Sequence, residues 1–265
     1  MPEAAQDEGR ITTQLDGDVF AIGIDRPKKL NGFSLKMYRE LVDAYTAFEK
    51  DDSARVGLLY AHGANFTAGL QLDQFAPLMA RGEAAAPAGG IDPFSLREPF
   101  RTKPVVCAVQ GICFTLGIEL MLAQDIVIAA DDSRFAQIEV KRGIMPTGGA
   151  TLRFVERAGW GNAQRYLLTG DEFGPAEALR LGFVQEIVPA GQQYERALAI
   201  ARTIAEQAPL AVRASLASSR RYLEKGPVGI KAEMEAVQKR LAQTDDAAEG
   251  LRSFTERRKA RFTGK

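Results

Sequence analysis

Gly111-Ile112-Cys113-Phe114-Thr115-Leu116-Gly117-Ile118-Glu119-Leu120-Met121-Leu122 is the stretch from which the architecture can be read. It follows Val105–Val109, an apolar run opened by Pro104 that reads as a buried strand. From about Leu116 to Ala123 the pattern is helical. A strand feeding directly into a helix is a building unit of mixed α/β folds. Unpaired N–H groups gather at a helix start and favour negative charge there. One turn later stands Glu119, a lone carboxylate among apolar neighbours. An unpaired buried charge is costly, so Glu119 either rides a solvated helix edge or is tuned for chemistry.

Working outward, strand-then-helix units recur without a repeating sequence. Upstream, Ile11–Leu15 and Val19–Ile24 flank Asp16-Gly17-Asp18, a hairpin signal, with residues 1–10 expected to fray. Arg26–Gly32 is a turn, and Ser34 caps a helix whose Tyr38, Leu41, Val42, Tyr45 and Phe48 recur at helical spacing. Val56–Ala61 is a second buried strand, and Asn65–Leu70 is another strand-to-helix corner whose small residues permit close backbone approach. Ala80–Ser95 reads as an irregular loop. Downstream, Ile126–Ala130 and Arg134–Gln137 are expected strands. Helical segments follow near 149–158, 163–169, 175–181 and 192–206, and the chain from Leu210 to its end reads almost wholly as helix. Glu139 lies in Phe135–Pro146, where an exposed position is the simpler reading from pattern alone.

Composition narrows the chemistry. Lys plus Arg and Asp plus Glu both number 34, so no strong field recruits nucleic acid or an anionic membrane. No apolar run reaches membrane-spanning length, and the start has no signal pattern. Cys107 and Cys113 read as reduced core residues, which fits a cytoplasmic location. With one histidine, His62, and two cysteines, a zinc site is not expected. A Ser-His-Asp triad would have to use His62, which ends an apolar run and reads more simply as a strand-end residue. Acid–base chemistry therefore falls to carboxylates.

Several motifs, taken in order, resemble the enoyl-CoA hydratase (crotonase) family. Asp25–Asn31 is similar to its early turn, Phe66–Leu70 to its first oxyanion-hole segment, and Val109–Glu119 to its second. Phe135–Pro146 is similar to the stretch that carries a second glutamate; Leu168-Thr169-Gly170, Ala176–Ala178 and Gly182–Val184 follow the downstream pattern. Ser253–Phe262 resembles the C-terminal helix. The resemblance implies an α/β spiral of strand–strand–helix turns over residues 11–190, binding acyl-CoA, and a helical region over 191–265 for trimerisation and CoA contact. It implies backbone N–H groups of Leu70 and Leu116 on the thioester oxygen, with Glu119 and Glu139 as acid–base pair. Lys28, Lys29, Leu30, Ala68, Phe254 and Arg257 match substrate- or CoA-binding positions, Phe254 and Arg257 often reaching a neighbouring subunit's site. No metal or further cofactor is implied, coenzyme A being part of the substrate. The implied partner is a further copy of the chain, as a homotrimer or dimer of trimers.

The chain also departs from that pattern. Thr115 and Leu116 stand where relatives usually carry glycine, Leu70 where they carry a small residue, and Gln71 at a common Asp position. The larger side chains would either select an unusual acyl group or close the hole. Thr147 stands near the position where dienoyl-CoA isomerases and chlorobenzoyl-CoA dehalogenases place a further acid, and threonine cannot replace one. Hydration of a 2-enoyl-CoA is the leading expectation. Double-bond isomerisation, CoA-thioester binding without turnover, and a serine hydrolase using His62 are the alternatives.

Overall fold

The computed structural model describes residues 7–265. Strands β1 (Arg10–Asp16) and β2 (Val19–Asp25) form the expected antiparallel hairpin. Helix α1 (Leu35–Lys50) begins where the Met37 amide donates to Ser34 Oγ at 3.2 Å. Its Met37, Leu41, Val42, Tyr45 and Phe48 are buried on one face. β3 (Val56–Ala61) returns parallel to β2. Helix α2 (Leu72–Arg81) then runs into the segment read as irregular, with Pro77 inside it. The helix follows the strand-to-helix corner at Asn65–Leu70, and its internal proline forfeits one backbone bond. Beyond it, Ile91–Phe94 is buried, so this segment packs into the molecule.

β4 (Val105–Val109), β5 (Ile112–Phe114) and α3 (Leu116–Leu122) follow almost without interruption, and α3 matches its expected span to within one residue. Next come β6 (Ile126–Ala130), β7 (Arg134–Ala136), α4 (Ala150–Ala158), α5 (Trp160–Thr169), β8 (Glu172–Phe173), α6 (Pro175–Arg180) and β9 (Glu186–Val188). The large sheet has the order β1-β2-β3-β4-β6-β9, parallel apart from β1; the small one is β5-β7-β8. Each turn of the chain thus places one strand in the large sheet and the next in the small sheet, β4 then β5, β6 then β7. Parallel bridges from Phe33 to Leu70 and from Thr67 to Cys113 carry the small layer back to the turns after β2 and β3. The architecture is the α/β spiral with a helical C-terminal region.

Strand residues alternate between two cores. Leu59, Cys107, Val109, Val127 and Ala129 face the interlayer core. Leu58, Val106, Ala108 and Ile128 pack under α7 (Gln193–Ala205) on the other face. Both cysteines are buried and free. The C-terminal region holds α8 (Pro209–Leu241), broken at Gly226 (φ 67°), and α9 (Asp245–Glu256).

Two expectations need correction. α9 stops at Arg257, which takes the left-handed conformation (φ 54°), and residues 258–265 are not helical; Asp246 receives the Thr263 and Gly264 amides and turns the chain back. At the other end, residues 1–6 lie outside the described residues, whereas 7–10 are tied down. Ser34 Oγ donates to the Glu8 carbonyl at 2.6 Å, Arg26 Nε donates to the Asp7 carbonyl at 2.7 Å, and Arg10 opens β1. No helix among the described residues is long and apolar enough to cross a membrane.

Candidate active site

Two backbone amides converge because of how the spiral changes layer. The bridge to Phe33 uses the Gly69 carbonyl (2.8 Å) and the Gln71 amide (2.9 Å). Successive amides point to opposite edges of a strand, so the Leu70 N–H faces the other way, toward the β5 side. There the rungs end, with Phe114 N–H donating to the Thr67 carbonyl at 3.0 Å, because the chain turns at Thr115. Thr115 N–H donates to Ala136 at 2.9 Å, and Leu116 becomes the first residue of α3, where a helix amide has no partner of its own. Neither the Leu70 nor the Leu116 amide has a backbone acceptor among the described residues.

The first segment is held by the turn before it. Buried Asn31 accepts the Arg26 amide at 2.7 Å and donates to the His62 and Asn65 carbonyls at 2.8 and 2.7 Å. The Leu30 carbonyl accepts the Ala68 amide at 3.0 Å, and Thr67 Oγ1 donates to the Asn31 carbonyl at 2.7 Å. Gln71, at the position commonly Asp, accepts from Arg26 at 2.9 Å and so joins this brace.

Glu119 is only 5% exposed, which removes the reading of a solvated helix edge. Its Oε1 accepts the Gly148 amide at 2.7 Å and the Ala150 amide at 3.2 Å. Burial pushes its carboxyl up from 4.5 to about 7, with Glu139 adding to the rise; the two amides and Arg153 pull the other way. Glu139 is 8% exposed, which overturns the exposed reading. Gln137 donates to its Oε1 at 2.9 Å, while its Oε2 is buried with no hydrogen-bond partner among the described residues. Burial raises its carboxyl as well.

Both carboxyls line one cavity of about 210 Å³, together with Ala68, Leu70, Thr115 and Leu116. A second cavity of about 340 Å³ adjoins it: Leu70, Met79, Leu116, Glu119 and Thr147 line both. Tyr38, Phe75 and Phe94 wall the second cavity, Tyr38 stacking on Phe94 at 5.9 Å between ring centroids. Leu116 is buried in the core and Leu70 packs against it, and both line the two cavities where these adjoin.

Of the expected residues, Glu119, Glu139, Leu70, Leu116 and Ala68 come together around the smaller cavity. Leu30 does not line it but holds Ala68 through its carbonyl, while Lys28 and Lys29 are exposed on the same turn. Phe254 (84% exposed) and Arg257 line neither cavity within one chain. His62 lies elsewhere: its Nε2 meets Thr12 Oγ1 at 2.9 Å and Tyr60 at 3.3 Å, and no serine hydrogen-bonds to its ring among the described residues. The sequence reading missed the Gly148 and Ala150 amides, Gln137, and the aromatic wall. Tyr38 carried a signal, being on the buried stripe of α1; Gly148 and Gly149 carried one as a glycine pair.

Residues 14–265 match the family described as enoyl-CoA hydratase/isomerase. The chain belongs to that family. It is similar to the enoyl-CoA hydratase EchA19 of Mycobacterium tuberculosis, 31% identical over 93% of each chain. It is similar also to the carnitinyl-CoA dehydratase of Proteus mirabilis, 34% identical over 96% of this chain and 98% of that one. A crystal structure of a probable enoyl-CoA hydratase/isomerase from Mycobacterium abscessus superposes with a TM-score of 0.93, at 44% identity over 96% of this chain and 98% of that one.

The raised Glu119 carboxyl gives this family member two pH signatures. If Glu119 must be ionised to take a proton, kcat/KM should rise with pH through a limb near 7. Stability should move the opposite way. The folded state binds this proton more tightly than the unfolded chain, so Glu119's contribution is best below pH 4.5 and is lost as pH rises toward about 7. A kcat/KM profile and denaturant midpoints for the protein and its Glu119→Gln variant, from pH 5 to pH 9, read both. A limb and a stability slope unchanged in the variant would remove Glu119 as their source.

Proposed function

We propose that the protein adds water across the double bond of a 2-enoyl-CoA, giving a 3-hydroxyacyl-CoA, without metal or redox cofactor. The observation that carries this reading is one cavity lined by two buried carboxyls and by Leu70 and Leu116, whose amides have no backbone acceptor among the described residues. The thioester oxygen accepts from the Leu70 and Leu116 amides, and each such donor is worth about 3 kcal/mol as the enolate forms. Glu119 takes a proton from water, whose oxygen bonds C3. Electrons move onto the thioester oxygen, and Glu139 in its acid form protonates C2. One proton passing from Glu119 back to Glu139 through solvent restores the pair. The reverse reaction, dehydration of a 3-hydroxyacyl thioester, uses the same groups, as befits a relative named a dehydratase.

The acyl tail extends into the aromatic-walled cavity and the CoA chain leaves past Ala68 and the Lys28–Leu30 turn. Phe254 and Arg257 act on a neighbouring subunit's CoA in a trimer or pair of trimers. Support for assembly comes from exposed apolar residues on the helical elements, Trp160, Val228, Leu251 and Phe254 among them. A stable monomer by light scattering at micromolar concentration would argue against it. The activity is tested by incubating the protein with 2-enoyl-CoA thioesters of graded size and reading product mass. Gain of one water is expected. A moved double bond at unchanged mass, or tight binding without product, would overturn hydration in favour of isomerisation or simple binding.

A further inference from the structure

Thr115 is held in a conformation that a threonine avoids. Its φ of 52° with ψ of −116° suits glycine, and a β-branched side chain makes it a strained outlier. The strain gains the protein no helix cap. A threonine at this position usually spends its oxygen on a first-turn amide, yet Thr115 makes no side-chain capping bond to α3. Its backbone is fully engaged, the N–H with Ala136 and the carbonyl with Ile118 and Glu119. The hydroxyl is left over, on a residue lining the cavity that holds both glutamates.

Its position is specific. A Cβ built on Gly69 would lie 2.0 Å from Thr115 Oγ1. The hydroxyl therefore reaches across to the first hole segment only because Gly69 has no side chain. It stands between the residues that immediately precede the two unpaired amides, Gly69 before Leu70 and Thr115 before Leu116. A hydroxyl can turn its hydrogen to whatever acceptor enters, and the acceptor that two neighbouring N–H groups define is a carbonyl oxygen.

We propose that the Thr115 hydroxyl is a third hydrogen-bond donor to the thioester oxygen, added by this chain to the two backbone amides. The inference rests on the acyl-CoA reading of the site, though not on water being the nucleophile.

The test uses three variants at one strained position. Thr115→Val keeps the branched shape and loses the hydroxyl; Thr115→Ser keeps the hydroxyl; Thr115→Gly loses the side chain and relaxes the backbone. In the full-length protein, Val and Gly are expected to lower kcat roughly 10- to 100-fold with a smaller change in KM, and Ser to stay within a few-fold. Gly should melt higher than the parent, so that stability and turnover move apart. A Gly variant that turns over as fast as the parent overturns the proposal even if Val fails to fold. A second signal needs no turnover. A conjugated 2,4-dienoyl-CoA bound in the hole should absorb at longer wavelength than in water, and the shift should shrink in Gly and Val but persist in Ser. Equal shifts in parent and Gly remove Thr115 from the hole and leave hydration standing. A hydroxyl-dependent shift in a protein that adds no water supports Thr115 while hydration falls.

Discussion

Glu119→Gln is expected to cut kcat by about 1000-fold while changing substrate affinity only a few-fold, a loss within the range for a positioned acid–base group. The amide oxygen of glutamine can still receive the Gly148 and Ala150 N–H groups that now bind Oε1, so the side chain keeps its place. What it cannot do is take a proton from water. Above pH 7 the variant should also be the more stable protein, since it no longer buries a charge that the folded state disfavours. Glu139→Gln should be comparably slow for the opposite reason: Gln137 can still hold one end, but no acid remains to protonate C2. Steady-state kinetics with a binding measurement on each variant separate the outcomes. Loss of affinity at unchanged kcat would assign the glutamates to recognition.

Gly69→Ala is expected to lower kcat at least about 100-fold, comparable to the loss of one oxyanion donor. The backbone at Gly69 has a φ of 104°, which any side chain strains, and the new methyl would meet Thr115 Oγ1 at 2.0 Å and Thr115 Cβ at 3.4 Å. Both obstacles act at the seam between the two hole segments, so relief moves Leu70 or Leu116 away from the shared oxygen. Strained φ alone costs about 1–3 kcal/mol. Adding Thr115→Gly removes the clash and leaves the strain, so the double variant should recover part of the lost thermal stability. Thermal midpoints and kcat of the two singles and the double close the cycle. A Gly69→Ala protein with the parent's kcat would mean that the seam does not set the hole.

How much of this could be read in the residues depends on the length scale of the signal. The long elements were legible: α1 declared itself through its buried stripe and Ser34 cap, and β3, β4 and β6 through unbroken apolar runs buried on both faces. Apart from β7, expected at Arg134–Gln137, the shortest strands were not. β5 and β9 have three residues each and β8 has two, so they exist only through neighbours remote in sequence. α2 was implied by the strand-to-helix corner before it, though its end inside the Ala80–Ser95 segment was not. Glu119 and Glu139 were open questions from pattern alone, because burial is a tertiary property; the family resemblance singled them out and the fold buried them. The Gly148 and Ala150 amides that anchor Glu119 lie 29 and 31 residues away, beyond any local pattern. Leu70 and Leu116, whose bulk is expected to crowd the thioester, line both cavities where these adjoin.

The most direct measurement is product analysis after incubation of a 2-enoyl-CoA with the protein in water enriched in both deuterium and oxygen-18. If Glu119 delivers water to C3 and Glu139 a proton to C2, each product molecule carries one oxygen-18 at C3 and one deuterium at C2, and both labels vanish with Glu119→Gln. Deuterium without oxygen-18, in a thioester whose double bond has moved, or no label at all in a substrate that binds tightly, would contradict hydration at this pair of carboxyls.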